Sequence, residues 1–108
     1  MTNTNAKPFK RTVSRIPKAE RFIPVDLPMT ELEKVNVKIE ELEAMRLVDF
    51  EGLEHEDAAN KMGVSRKTLW KDLKSARKMI IDALVNGKII EMCGGNYELS
   101  IEDAGEEK

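Results

Sequence analysis

Residues 63–65, Gly-Val-Ser, interrupt a helical stretch at a point where both flanks are amphipathic. Before them, Glu56–Met62 places Ala58, Ala59 and Met62 on one face of a short helix. After them, Ser65 is a natural N-cap for a long helix running from Arg66 to about Asn86, with Gly87 as its stop. A residue with a Cβ is disfavoured at positive φ, so Gly63 suits the tight turn between the two helices. Ala59 is small where they cross, and Val64 and Leu69 bury the corner. Few arrangements other than two crossed helices satisfy this spacing.

The long helix sorts its side chains by angle. At ~100° per residue, Leu73, Ala76 and Ile80 fall within roughly 40° of Leu69 and form the core stripe. Arg66, Trp70 and Arg77 lie on its flank, and Lys67, Lys71, Lys74 and Lys78 cluster opposite the core. One face packs while the other presents cations in a row.

An earlier helix is expected from Ile39, where Ile39, Leu42, Met45 and Val48 recur every three residues, to a stop at Gly52. Its acids at 40, 41 and 43 suit the first turns. Thr30 and Glu33 have the spacing of a capping box for a short helix. Residues 1–28 hold all four prolines and read as an extended basic arm. Beyond Gly87, residues 88–93 and 96–101 alternate around Gly94-Gly95, which predicts a β-hairpin pairing Met92 with Tyr97 and Ile90 with Leu99. That hairpin would also set Glu91 against Glu98, an unfavourable pair. The acidic residues 102–108 read as a disordered tail. The expected fold is therefore mainly α: a three-helix domain over 29–87, an N-terminal arm and a C-terminal hairpin.

A net charge of −2 conceals segregation. Residues 1–25 carry +5, 26–57 carry −8, 58–81 carry +6, and 82–108 carry −5. A polyanion responds to the field within a Debye length, ~8–10 Å, so two basic segments count for more than the total. No apolar run approaches the ~20 residues of a membrane span. The first residues lack the apolar stretch of a secretory leader, so a cytoplasmic protein is expected. A single cysteine, Cys93, excludes an internal disulfide and a multi-cysteine zinc site.

Helix, glycine turn and capped helix form the helix-turn-helix pattern, which offers the second helix to a DNA groove. The stretch 39–86 resembles the region 4 type of helix-turn-helix found in sigma factors. More of the chain, about 10–101, resembles a family of small uncharacterised prokaryotic proteins predicted to bind DNA. The phrases that carry this likeness are Glu41-Leu-Glu-Ala-Met-Arg-Leu-Val-Asp49, Gly52-Leu53, Ala58-Ala-Asn-Lys-Met-Gly-Val-Ser-Arg-Lys-Thr68, Asp82-Ala-Leu-Val-Asn-Gly-Lys88 and Gly94-Gly-Asn-Tyr-Glu-Leu99. The resemblance implies a DNA-binding role in transcription regulation. Two positions depart from the usual pattern: Glu54 stands where a serine or threonine cap is common, and Trp70 is a large aromatic at a position that commonly faces DNA.

On this reading double-stranded DNA is the partner. Arg66, Lys67, Thr68, Trp70 and Lys71 meet base edges, Lys74 and Lys78 hold phosphates, and Lys10, Arg11 and Arg15 follow the backbone or enter a minor groove. Plainer readings stand beside these. Trp70 packs against the arm or the first helix, the arm is a cationic tail that aids solubility, and His55 and Cys93 are inert surface residues. No catalytic constellation, cofactor motif or metal-ligand spacing is present in the sequence, so no enzyme is expected. A different class of function would use the acidic segment 26–57 to bind the transcription machinery or another basic partner. Dimerisation is open: the hairpin at 88–101 is a candidate contact, or it folds back on its own domain.

Overall fold

The computed structural model describes residues 10–100, and its helices fall where the caps and breakers lie. Helix α1 (Ile39–Met45) begins with the Glu41 carboxylate accepting the Lys38 N–H at 3.0 Å. It then widens into a π-helical segment, Arg46–Phe50, in which the Glu51 N–H reaches back to the Arg46 carbonyl at 2.9 Å. Helix α2 (His55–Met62) ends at Gly63, whose φ of +70° is the left-handed conformation the turn requires. Helix α3 (Arg66–Asn86) starts with the Ser65 hydroxyl accepting the Thr68 N–H at 3.1 Å and stops at Gly87. Glu54, at the N-cap of α2, makes no side-chain capping bond.

The strands depart from expectation. Five short ones form: β1 (Arg11–Val13), β2 (Arg21–Phe22), β3 (Lys34–Val37), β4 (Ile89–Met92) and β5 (Tyr97–Leu99). Strand β4 lies between β3, which it parallels, and β2, to which it is antiparallel. Strand β5 instead runs parallel to β1. The hairpin expected over 88–101 is therefore absent: Ile90 lies opposite Phe22 and Val35, Met92 opposite Val37, and Leu99 opposite Val13.

Electrostatics and the glycine loop explain this outcome. Glu91 escapes Glu98 and forms ion pairs with Arg21 (3.1 Å) and Lys34 (3.4 Å) on the flanking strands. The loop between β4 and β5 does not double back but crosses the start of α1. There the Gly94 carbonyl accepts the Ile39 N–H at 3.2 Å, and the Glu40 carboxylate accepts the Asn96 N–H at 3.1 Å. A Cβ at Gly95 would collide with that carboxylate, so only glycine permits the approach.

Two further expectations are corrected. Thr30 starts no α-helix; it sits inside a single 3-10 turn, Met29–Glu31, entered from Pro28 with no side-chain cap. The segment that follows becomes β3, because Val35 and Val37 gain burial against α3 only when the strand lies beside β4. The second concerns the extended arm, which from residue 10 onward contains two short strands, β1 and β2, each paired into a sheet. The start of the arm, 1–9, and the tail, 102–108, lie outside the described residues.

Two apolar clusters share α3. The first joins Leu69 and Leu73 to Ala44, Leu47, Ala58, Ala59 and Met62. The second joins Ala76 and Ala83 to Val35, Val37, Ile90 and Met92 of the sheet. Three carboxylates are buried with them, each partnered. Glu43 accepts two bonds from Arg46 (2.9 Å each) and one from the Ser14 N–H (2.9 Å). Asp72 accepts two from Arg11 (3.0 and 3.2 Å), and Glu40 holds the Gly95–Asn96 turn. Removing one partner of a buried charge costs roughly 3–5 kcal/mol, so these contacts stitch the arm and the glycine loop firmly to the helices.

Candidate nucleic-acid interface

The surface that differs most from an ordinary solvated helix face is the outer side of α3. Lys67, Lys71, Lys74 and Lys78 are all exposed, and none forms an ion pair among the described residues. Eleven residues of helix rise separate the first from the last, about 16 Å at 1.5 Å per residue. Arg66 is exposed at the helix start, beside Glu54, Glu56 and Asp57 in an open concavity of about 660 Å³ that also includes His55. Acids there lessen its attraction for phosphate. Thr68 is half-buried, and its hydroxyl lies 3.2 Å from the Ser65 hydroxyl.

Trp70 is neither buried nor free. It is 42 % exposed, with its ring stacked on His55 at the start of α2, centroids 5.8 Å apart and planes 25° from parallel. Lys74 and Arg77 approach the ring at 5.9 and 6.0 Å, within cation–π range. Arg77 is itself anchored to Asp49 by hydrogen bonds of 2.8 and 3.1 Å. This fork raises the Arg77 pKa and, chiefly through the hydrogen bonds, holds the Asp49 carboxyl below its ordinary value. Trp70 thus sits in a small cluster spanning all three helical elements, with part of its surface outward.

The arm residues are placed differently from the lysine row. Lys10 is exposed. Arg11 is turned inward onto Asp72 of α3, where it serves as a structural tie and not as a phosphate contact. Burial pushes the Asp72 carboxyl above its ordinary value despite both hydrogen bonds from Arg11. Arg15 is exposed along a shallow groove with Ile16, Lys18 and Leu42. The corner residues lie where the spacing placed them: Ala59 and Leu69 are buried, Val64 packs on the first cluster, and Gly63 and Ser65 make the turn and the cap.

His55, Asp49 and Asp72 support this surface, yet sequence reading assigned them no part in it. Only one signal for them exists in the sequence: Trp70 and Arg77 share a helix flank, with Lys74 one turn from each. The partners across the corner leave none. Six of the eleven acids of 26–57 are engaged with other described residues of the chain: Glu33 with Lys88, Glu40 with the glycine loop, Glu41 with the Lys38 N–H and Ser75, Glu43 and Glu51 with Arg46, and Asp49 with Arg77. Among the described residues no cluster of histidine, cysteine and acids has metal-binding geometry, and no helix is long and apolar enough to cross a membrane.

By its fold the chain is a three-helix domain carrying two small sheets, with a cationic ridge on its longest helix. The model of a protein family of unknown function, DUF134, matches residues 1–100, and the chain belongs to that family. It is similar to a UPF0251 protein of Methanococcus vannielii, 53% identical over 89 residues that cover 82% of this chain and 68% of that one. A UPF0251 protein of Methanocella arvoryzae is 50% identical over 88 residues, 82% of this chain and 53% of its own. One from Thermoanaerobacter pseudethanolicus is 49% identical over 96 residues, 89% of this chain and 81% of its own, so the family occurs in archaea and bacteria. The chain spans about half the length of several of these relatives. No solved structure matches it.

Proposed function

We propose that this chain is a DNA-binding protein, a transcriptional regulator whose α2–Gly63–α3 corner acts as a helix-turn-helix of the sigma region 4 type. The observation that carries the reading is the row of unpaired lysines on the outer face of a helix capped at Ser65. Cations spread over about 16 Å reach phosphates on both walls of a major groove about 12 Å wide. Trp70, held by His55, offers an apolar surface to a thymine methyl or a sugar, and the neighbouring Arg66, Lys67 and Thr68 face base edges. Lys10 and Arg15 add backbone contacts from the arm, and Arg11 does not. The protein acts in the cytoplasm as a binding protein and not an enzyme, and it requires no cofactor.

Fluorescence anisotropy with random-sequence duplex DNA at several salt concentrations tests this. Binding is expected to weaken steeply with salt. The double substitution Lys74→Ala/Lys78→Ala should lower affinity at every sequence and flatten the salt slope by about 2, near 0.9 for each lost phosphate contact. Absence of binding even at low salt overturns the proposal. A slope unaltered by the substitutions overturns this docking face.

A further inference from the structure

Beyond Lys78 the outer face of α3 changes character. Ile81 and Val85 continue that face and Leu84 stands on its flank, at i, i+4 and i+3 spacing, and they are 57, 72 and 67 % exposed. Leu84 borders a shallow groove shared with Phe22 and Ile23 of the β2 segment, both also exposed. Leu27 extends the apolar surface over Gly87, where the helix ends. We propose that this surface is a homodimer interface, occupied by the same surface of a second copy of the chain.

Three observations favour a second copy. The apolar area exposed by these six side chains is on the order of 600 Å², at the top of what a typical monomer leaves uncovered. With a polar rim it approaches the ~800 Å² that each partner contributes to a standard interface. At the sheet end the bordering charges are paired: Lys88 with Asp82 (3.0 Å), and Glu91 with Arg21 and Lys34. On the helix side the exposed Lys78, one turn before Ile81, belongs to the polar rim, and the apolar patch inside that rim is its own complement across a two-fold axis. The third argument rests on the DNA reading. Leu84 lies about 21 Å along the helix from Trp70, so helices meeting at Leu84 hold their two Trp70 rings at most about 42 Å apart. The ~34 Å between half-sites one DNA turn apart falls within that reach.

Sedimentation equilibrium of the full chain, without DNA, from low to ~100 µM tests the proposal. The wild type should approach twice the chain mass. Leu84→Asp should weaken association by at least about thirtyfold, the effect of a central interface residue, with an unchanged helical circular-dichroism spectrum. If that variant folds poorly, Val85→Asp, at the most exposed of the three helix positions, replaces it. A monomeric wild type overturns the inference, as does a dimer that ignores both substitutions. Lys71→Ala/Lys74→Ala should leave the dimer intact while DNA binding falls. A dimer that binds no DNA therefore refutes the functional proposal alone.

Discussion

The two halves of α3 share one backbone but rest on different foundations. Its first half packs on helices, where Leu69, Leu73 and Ala58 are completely buried and Leu47, Ala59 and Met62 nearly so. Its second half packs on one face of a small sheet, where Val37 and Ala76 are fully buried but Val35, Ile90 and Met92 keep 6–9 % exposure. The outer faces differ to match, with lysines over the sealed helical core and Ile81, Leu84 and Val85 over the sheet. A helix packed on two other helices has the firmness to present a charged ridge to a ligand. The thinner half leaves apolar surface at the molecule's edge. One helix therefore carries two separable surfaces.

Truncating each core gives the largest expected effect. Leu73→Ala should destabilise by about 4–5 kcal/mol, whereas Ile90→Ala should cost nearer 2–3 kcal/mol, both read from urea unfolding. Larger loss at Ile90 would show that the sheet half is the firmer one. Next come the glycines of the loop that joins sheet to helix. Gly95→Ala should cost about 2–3 kcal/mol, since it adds a clash with Glu40 to a φ of +107°. Gly94→Ala, at φ +76° in open space, should cost nearer 1 kcal/mol. Equal losses would mean that the Glu40 contact contributes nothing.

The smallest effect is one of acid titration. Asp49, with its pKa lowered, contributes stability that is present above the ordinary aspartate pKa and lost as pH falls through its folded value. Asp72, with its pKa raised by burial, has the opposite sign: its contribution is full below the ordinary pKa and is lost as pH rises through the folded value. Carboxyl NMR titration should find Asp72 protonating at higher pH than Asp49. Coincident midpoints would remove this distinction between the inner and outer sides of α3.

What the sequence made readable follows from range. The stop of α2, the cap and stop of α3, the core stripe and the lysine row are all fixed by residues within a few positions of one another. Periodicity and capping chemistry therefore located them. Strand β3 offers only Val35 and Val37 as an alternating pair, and its partner β4 lies a whole domain further on. The arm failed for the same reason: Arg11 reads as a free cation until Asp72 is beside it, and Ser14 until Glu43 is. The hairpin is the instructive case, because the opposed Glu91 and Glu98 already counted against it. Strands whose charges conflict need another neighbour, and here Arg21 and Lys34 supply it.

Strand β1 pairs with β5, and β2 with β4, so the earliest described segments close against the latest. This pairing has a consequence in time. On a ribosome adding about 5–20 residues per second, Val13 waits about 4–17 s before Leu99 exists to receive it. The three helices need no such delay, since their shared core is complete once Leu73 has emerged. Strands β1 and β2 are thus made before the helices yet can be paired only after them.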